Sequence, residues 1–350
     1  MRRLILIVSA AFWSFALAGH AKAADITLRI ACYAGAYQEA QARYTGIVFT
    51  LRTGIKLQWF SGNSTEFLAK MIANKGRPPL YDVVYVDEIV QAAAIQAGLF
   101  QKIDPSIVTN LQHLYDEAKH KDGYGPGTNF WTIGLVYNTE AFKKAGIPEP
   151  TSWNDLWDPR LAGRIALPDI VQSSSRDLII ATARLLGGDE SNTTAAFEKH
   201  AQLKPLYFFR SAGENDIKML AGEAWIAVWL NARAWNLIDR GAPLKFVYPK
   251  EGGFWHTTTV DVTAGTPYPK EAMMFVNQVL DPLAQIGQAN EVPYGPANKL
   301  LAPVLAAYPE LSKKFPANSE DLKKLNRQDP DVVNREYPKW IDTWNRVMKK

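Results

Sequence analysis

From residue 26 onward the chain repeats one pattern: a short apolar or alternating segment, a turn, then a stretch with helical spacing. Ile26 to Tyr33 alternates apolar and polar side chains and predicts a first strand. Ala34-Gly35-Ala36 is a turn, and Tyr37 to about Leu51 predicts a helix that contains Gly46. Lys56 to Ser61 predicts a second strand. Asn63-Ser-Thr-Glu66 resembles a capping box ahead of a helix from Phe67 to Asn74. Tyr81 to Val86 is apolar except for Asp82, as expected of a parallel strand covered on both faces. Asp87 and Glu88 open the next helix, which ends at Gly98.

The middle of the chain continues the alternation. Trp131 to Asn138 reads as a strand that leaves the first domain. Gly163 to Pro168 is a strand, and Ser173-Ser-Ser-Arg176 leads into a long helix ending at Gly187-Gly188. A helix near Thr194 to Gln202, a strand at Leu206 to Phe209 and a helix from Asn215 to Gly222 follow. Trp225 to Trp229 and Phe246 to Tyr248 are short strands. Glu251-Gly-Gly253 then allows a sharp change of direction, and Phe254-Trp-His256 precedes the β-branched run Thr257 to Val262. The chain therefore crosses between two α/β lobes near Leu135–Tyr137 and again near Phe254–Thr257. Residues 24–134 plus 258–305 form the expected first lobe, and residues 135–257 plus 306–350 the second. Each lobe is expected to hold a mixed sheet flanked by helices, and the two extended crossings make a hinge. Binding sites in such folds gather at the carboxyl ends of strands and between lobes.

Residues 1–23 have a different character. Arg2 and Arg3 precede an apolar run, and Ala21-Lys-Ala23 offers a small-x-small cleavage site, the pattern of a secretory signal peptide. The expected location is the periplasm, with cleavage near Ala23. Cys32 is the only cysteine, so no intramolecular disulfide holds the chain together. There are 39 basic and 35 acidic residues, but Arg2, Arg3 and Lys22 belong to the expected leader. The remainder is close to neutral, which gives no support for a nucleic-acid partner.

The order of motifs resembles a solute-binding protein of an ABC transporter with the type II bilobal fold, closest to the spermidine/putrescine-binding branch. The phrases that carry this are Gly35-Ala-Tyr-Gln-Glu-Ala40, Tyr81-Asp-Val-Val-Tyr-Val-Asp87, Gly134-Leu-Val-Tyr-Asn-Thr-Glu-Ala-Phe142, Pro150-Thr-Ser-Trp-Asn-Asp-Leu-Trp157, Pro249-Lys-Glu-Gly-Gly253 and Val292-Pro-Tyr-Gly-Pro-Ala-Asn298. The resemblance implies a monomeric periplasmic receptor that takes a small solute between its lobes. It would hand that solute to an inner-membrane permease with its ATPase, with no catalysis and no cofactor.

In the family's polyamine binders, aromatics clamp the ligand's aliphatic chain and carboxylates pair with its ammonium groups. By that resemblance Trp229 and Trp255 are ligand-facing, and Tyr33 and Tyr37 add a wall. The acidic half departs from the pattern: the position two after Trp255 is Thr257, and Leu167 to Arg176 holds only Asp169 as an acid of the expected pair. Asp87 remains a candidate at the end of its strand, and His256 a candidate polar contact. Ser174, Ser175 and Arg176 stand at a helix start, and Asn63 and Ser64 at another, where free N–H groups favour an anion. Arg176 and Arg233 are candidate forks for a carboxylate or phosphonate. The expected ligand is a small organic anion or zwitterion, with polyamine as the alternative. A ferric-ion receptor is disfavoured because Leu206-Tyr-Phe-Phe209 lacks a tyrosine pair. An enzyme is disfavoured because no HExxH or Gly-x-Ser-x-Gly motif occurs, and no metal-ligand spacing is present.

Overall fold

The computed structural model describes residues 26–210 and 212–348. The expected signal peptide lies outside the described residues. Ten strands form one strongly curled sheet: β1 (Thr27–Tyr33), β2 (Lys56–Gly62), β3 (Val83–Asp87), β4 (Gly127–Asn138), β5 (Ile165–Pro168), β6 (Pro205–Phe209), β7 (Ile226–Leu230), β8 (Leu244–Val247), β9 (Phe254–Val262) and β10 (Gly295–Pro296). Their order is β2-β1-β3-β9-β4-β7-β5-β6, with β8 and β10 also paired to β4. β1 runs parallel to β2 and β3, and β5 runs parallel to β6 and β7. Those parallel strands are connected through helices, as their sequence alternation predicts.

The two long antiparallel strands β4 and β9 join the halves. β9 pairs with β3 over Thr258–Val262 and with β4 from Phe254 to Thr259. β4 exchanges partners at Ile133, which faces Phe254 on β9 and Leu230 on β7. The expected crossing at Leu135–Tyr137 therefore sits a little late: those residues already pair with β7 and β8. Every residue of β4 and of β9 is buried. Buried apolar clusters fall on both faces of each half: one pair is built on β1, β3 and their helices, the other on β4, β5 and β7 with theirs. The result is a two-lobed mixed α/β fold.

The Glu251–Gly253 turn is fixed in place. Gly252 takes a left-handed φ of 87°, and a Cβ there would approach Asn326 Nδ2 to 2.8 Å. The Trp153 indole N–H donates to the Gly252 carbonyl at 3.0 Å, and Asn326 Nδ2 donates to the carbonyls of Glu251 and Gly252 at 2.9 and 3.1 Å. The long C-terminal helix Pro330–Val347 lies across both halves. Asn334 donates to the Ile89 carbonyl, Tyr337 to the Ile170 carbonyl, and Trp340 and Trp344 enter the core of the second half. The helix Asn231–Ile238 has no counterpart in the sequence reading; it starts directly after Leu230, the last residue of β7, with no capping side chain to announce it.

Candidate functional site

The cleft between the halves encloses about 530 Å³. Its first wall comes from the end of β1 (Tyr33) and the helix that follows it (Tyr37), the start of the helix Ser64–Ala73 (Asn63, Ser64, Thr65) and Asp87 at the end of β3. Its second wall comes from Gln172, Ser173 and Arg176 at the start of the helix Ser173–Leu185, Arg210, and Arg233 and Asn236 on the helix Asn231–Ile238. Trp131, Thr258 and Tyr294 complete the floor. Both helix starts border this space.

Asn63 caps its helix by accepting the Glu66 N–H at 3.0 Å. Ser64 Oγ accepts the Asp87 N–H at 3.1 Å and shares a 2.7 Å hydrogen bond with the Tyr33 hydroxyl. Burial pushes the Tyr33 phenol well above its ordinary range, and the Asp87 carboxylate pushes it the same way. Asp87 accepts the Val90 N–H at 2.9 Å. The Tyr37 hydroxyl turns away from the ligand space into a buried network, taking the Asn129 Nδ2–H at 2.9 Å. Burial lifts its pKa to about 12. Tyr37 thus presents a ring to the cleft, edge-on to Tyr33 at 5.5 Å.

The cationic wall is uneven. Arg233 pairs with Asp216 at 3.2 Å, and burial raises the Asp216 carboxyl above its ordinary range even so. Arg210 is exposed, and its carbonyl accepts from Gln172 Nε2. Arg176 is 5% exposed, its Nε has no hydrogen-bond partner, and among the described residues it makes no ion pair. Its guanidinium lies 5.3 Å from the Tyr337 ring centroid.

Half of the expected site residues meet in this cleft: Tyr33, Tyr37, Asn63, Ser64, Asp87, Arg176 and Arg233. The others are placed elsewhere, for reasons of side-chain period. In the helix Ser173–Leu185, residues three apart share a face, so Ser173 and Arg176 reach the cleft while Ser174 and Ser175 turn inward. Ser175 Oγ is spent on the Gln172 carbonyl at 2.8 Å, and Ser174 is 1% exposed. In β9 residues alternate, so Thr258 reaches the cleft while Thr257 donates to the Asn129 carbonyl at 2.8 Å. Trp255 is packed against Phe130 and beneath Arg327, whose guanidinium is 4.5 Å from its ring. Trp229 is fully buried behind β7, among Val136, Phe209 and Met219, while its neighbour Leu230 lines the cleft. Asp169 is buried beside the cleft and accepts the Val171 N–H. His256 is enclosed between two carboxylates under Trp131. Trp131, Gln172, Arg210, Asn236 and Tyr294 are cleft residues that the sequence reading did not select. For Trp131 the available signal was an aromatic just before the point where its strand changes partners.

A protein-family model for bacterial extracellular solute-binding proteins matches residues 78–324. The chain belongs to that family. This solute-binding protein is 27% identical over 274 residues to a spermidine/putrescine-binding periplasmic protein of Salmonella typhimurium, covering 74% of this chain and 76% of the relative. It is 24% identical over 330 residues to a gamma-aminobutyric acid-binding protein of Pseudomonas aeruginosa, covering 90% of each. The crystal structure of an ABC transporter from Clostridium perfringens superposes with a TM-score of 0.76 at 25% identity, over 92% of this chain and 99% of that one. The fold is thus that of the type II periplasmic binding proteins.

Proposed function

We propose that the protein is the periplasmic receptor of an ABC importer and that its solute is a small zwitterion or organic anion bearing a carboxylate. Residues 24–134 with 258–305 and residues 135–257 with 306–350 act as the two lobes that close on it. It works as a monomer that delivers the solute to a membrane permease driven by an ATPase, and it makes or breaks no bonds. The observation that carries the ligand class is Arg176, a buried guanidinium with no ion-pair partner among the described residues, set in the wall of the cleft. A buried cation without a counter-ion is costly, and a ligand carboxylate arriving in the cleft supplies one. Among the described residues three guanidiniums line the space, Arg233 paired with Asp216, against the single lining carboxylate of Asp87. Asp87, beside the rings of Tyr33 and Tyr37, suits the ammonium end of a zwitterion.

Polyamine is the second reading. It is favoured by the spermidine/putrescine-binding relative and by the aromatic walls, and opposed by the shortage of cleft carboxylates. Mass spectrometry of small molecules released from the purified protein separates the two. A carboxylate-bearing compound is expected, and a diamine or triamine would overturn the ligand class.

A further inference from the structure

His256 lies between the two walls of the cleft. Its Nδ1 is 2.8 Å from Glu88 Oε1, and its Nε2 is 2.9 Å from Asp177 Oδ2. Glu88 is the first residue of the helix that follows β3, immediately after Asp87. Asp177 directly follows Arg176 in the helix Ser173–Leu185. The two carboxylates that grip His256 are thus the sequence neighbours of the acidic and basic candidates on opposite walls. On its ring face His256 stacks on Trp131, with centroids 4.3 Å apart and planes 23° apart, and Trp131 lines the cleft.

Both ring nitrogens face carboxylate oxygens at hydrogen-bond distance. A neutral imidazole has only one N–H, so this geometry calls for the doubly protonated ring. Burial lowers the pKa of His256, but Asp177 and Glu88 outweigh it and lift the value to about 10. The remaining acceptors are also occupied. Glu88 Oε2 takes the Thr257 N–H at 3.1 Å, and Asp177 Oδ1 takes the Gln328 side-chain N–H. All three charged groups are at most 5% exposed. Such a buried triad is weak evidence for stability, since well-packed apolar side chains commonly do as well. What it supplies is a fixed geometry between elements that otherwise belong to different halves.

We propose that His256 is a positioning residue that sets the spacing between the two ends of the cleft, holding Asp87 and Arg176 at a fixed separation and seating Trp131 between them. The ligand-length consequence rests on the zwitterion reading above; the geometric consequence does not. A ligand whose charged ends match the spacing then meets both groups without straining the hinge, whereas a longer or shorter one meets only one.

The test uses unbranched ω-amino acids of three to six carbons, titrated into the wild-type protein and into His256→Gln. The wild type is expected to prefer one length over its neighbours by about tenfold, and the variant to compress that ratio to about threefold or less. A variant that binds more weakly but keeps the same length ratio overturns the proposal. Spin labels on Lys75→Cys and Glu198→Cys, both exposed positions, report the separation of the halves without any ligand, the native Cys32 being buried. His256→Gln is expected to broaden that distance distribution, and an unchanged width overturns the pin. If the wild type binds none of the series, the zwitterion reading falls and the distance measurement alone decides on His256. If His256→Gln does not fold, Glu88→Gln, which keeps the side-chain shape and removes one of the two negative charges that face the imidazolium, takes its place in both measurements with the same outcomes.

Discussion

Replacing Arg176 by methionine should move affinity and stability in opposite directions. The side chain is 5% exposed and makes no ion pair among the described residues. Its guanidinium lies 5.3 Å from the Tyr337 ring centroid, and a hydrogen bond from it to the Tyr337 hydroxyl opposes the rise that burial gives that phenol's pKa. A hydrogen bond from a charged donor to a ligand carboxylate is worth about 1.5–3 kcal/mol, so its loss should weaken a carboxylate ligand roughly 10- to 150-fold. In the empty protein the same change removes a buried charge that makes no ion pair among the described residues and keeps an unbranched apolar stem of similar length. The forfeited cation–π contact is worth about 1 kcal/mol, and the relieved burial cost is of that size or larger. The ligand-free melting temperature should therefore hold steady or rise. Calorimetric titration gives the first quantity and thermal unfolding the second. Unchanged affinity, or unfolding that becomes easier by several kcal/mol, would place Arg176 among the structural residues and refute the reasoning.

Tyr37→Phe should leave ligand affinity within about threefold and cost about 1 kcal/mol of stability, since the hydroxyl serves Asn129 rather than the cleft; titration and denaturant unfolding check the split. Asp261 is buried with no cation beside it among the described residues, and burial lifts its pKa to about 6 despite hydrogen bonds from Gln91, Thr259 and the Gly125 N–H. A folded-state pKa above the ordinary carboxylate value means that this group stabilises most below pH about 4 and that the contribution is lost as pH rises through about 6. Asp261→Asn should flatten the stability profile across that window, read by urea unfolding at pH 4 and pH 7.5; a slope unchanged between the two would refute it. Gly134→Ala should destabilise by about 1–3 kcal/mol, because the added Cβ would sit 2.6 Å from the Val247 carbonyl oxygen where β4 and β8 touch.

The layering of the fold was legible because parallel strands covered on both faces write themselves as short apolar runs, as at Val83–Asp87 and Ile226–Leu230. Helix starts were legible through their caps, and that rule also brought Asn63, Ser64 and Arg176 to the cleft. Side-chain direction in the crossing strands was not legible. β4 and β9 are buried at every position, so no polar alternation marks which residues face the ligand space. Trp229 and Trp255 are ligand-facing by the family resemblance, yet each stands one residue from a cleft-facing or cleft-supporting neighbour, Leu230 and His256. Tyr294 and Arg210 arrive from loops whose approach depends on tertiary packing, which no local pattern encodes. The role of His256 was equally hidden, since Glu88 and Asp177 are 168 and 79 residues away from it.

The most direct measurement sets three ligands of equal backbone length side by side in one calorimetric series: 4-aminobutyrate, butyrate and putrescine. A cleft with a guanidinium at one end and a carboxylate at the other should bind the zwitterion tightest, the monoacid more weakly and the diamine weakest. Putrescine binding tightest, with no heat from either carboxylate, would contradict the account.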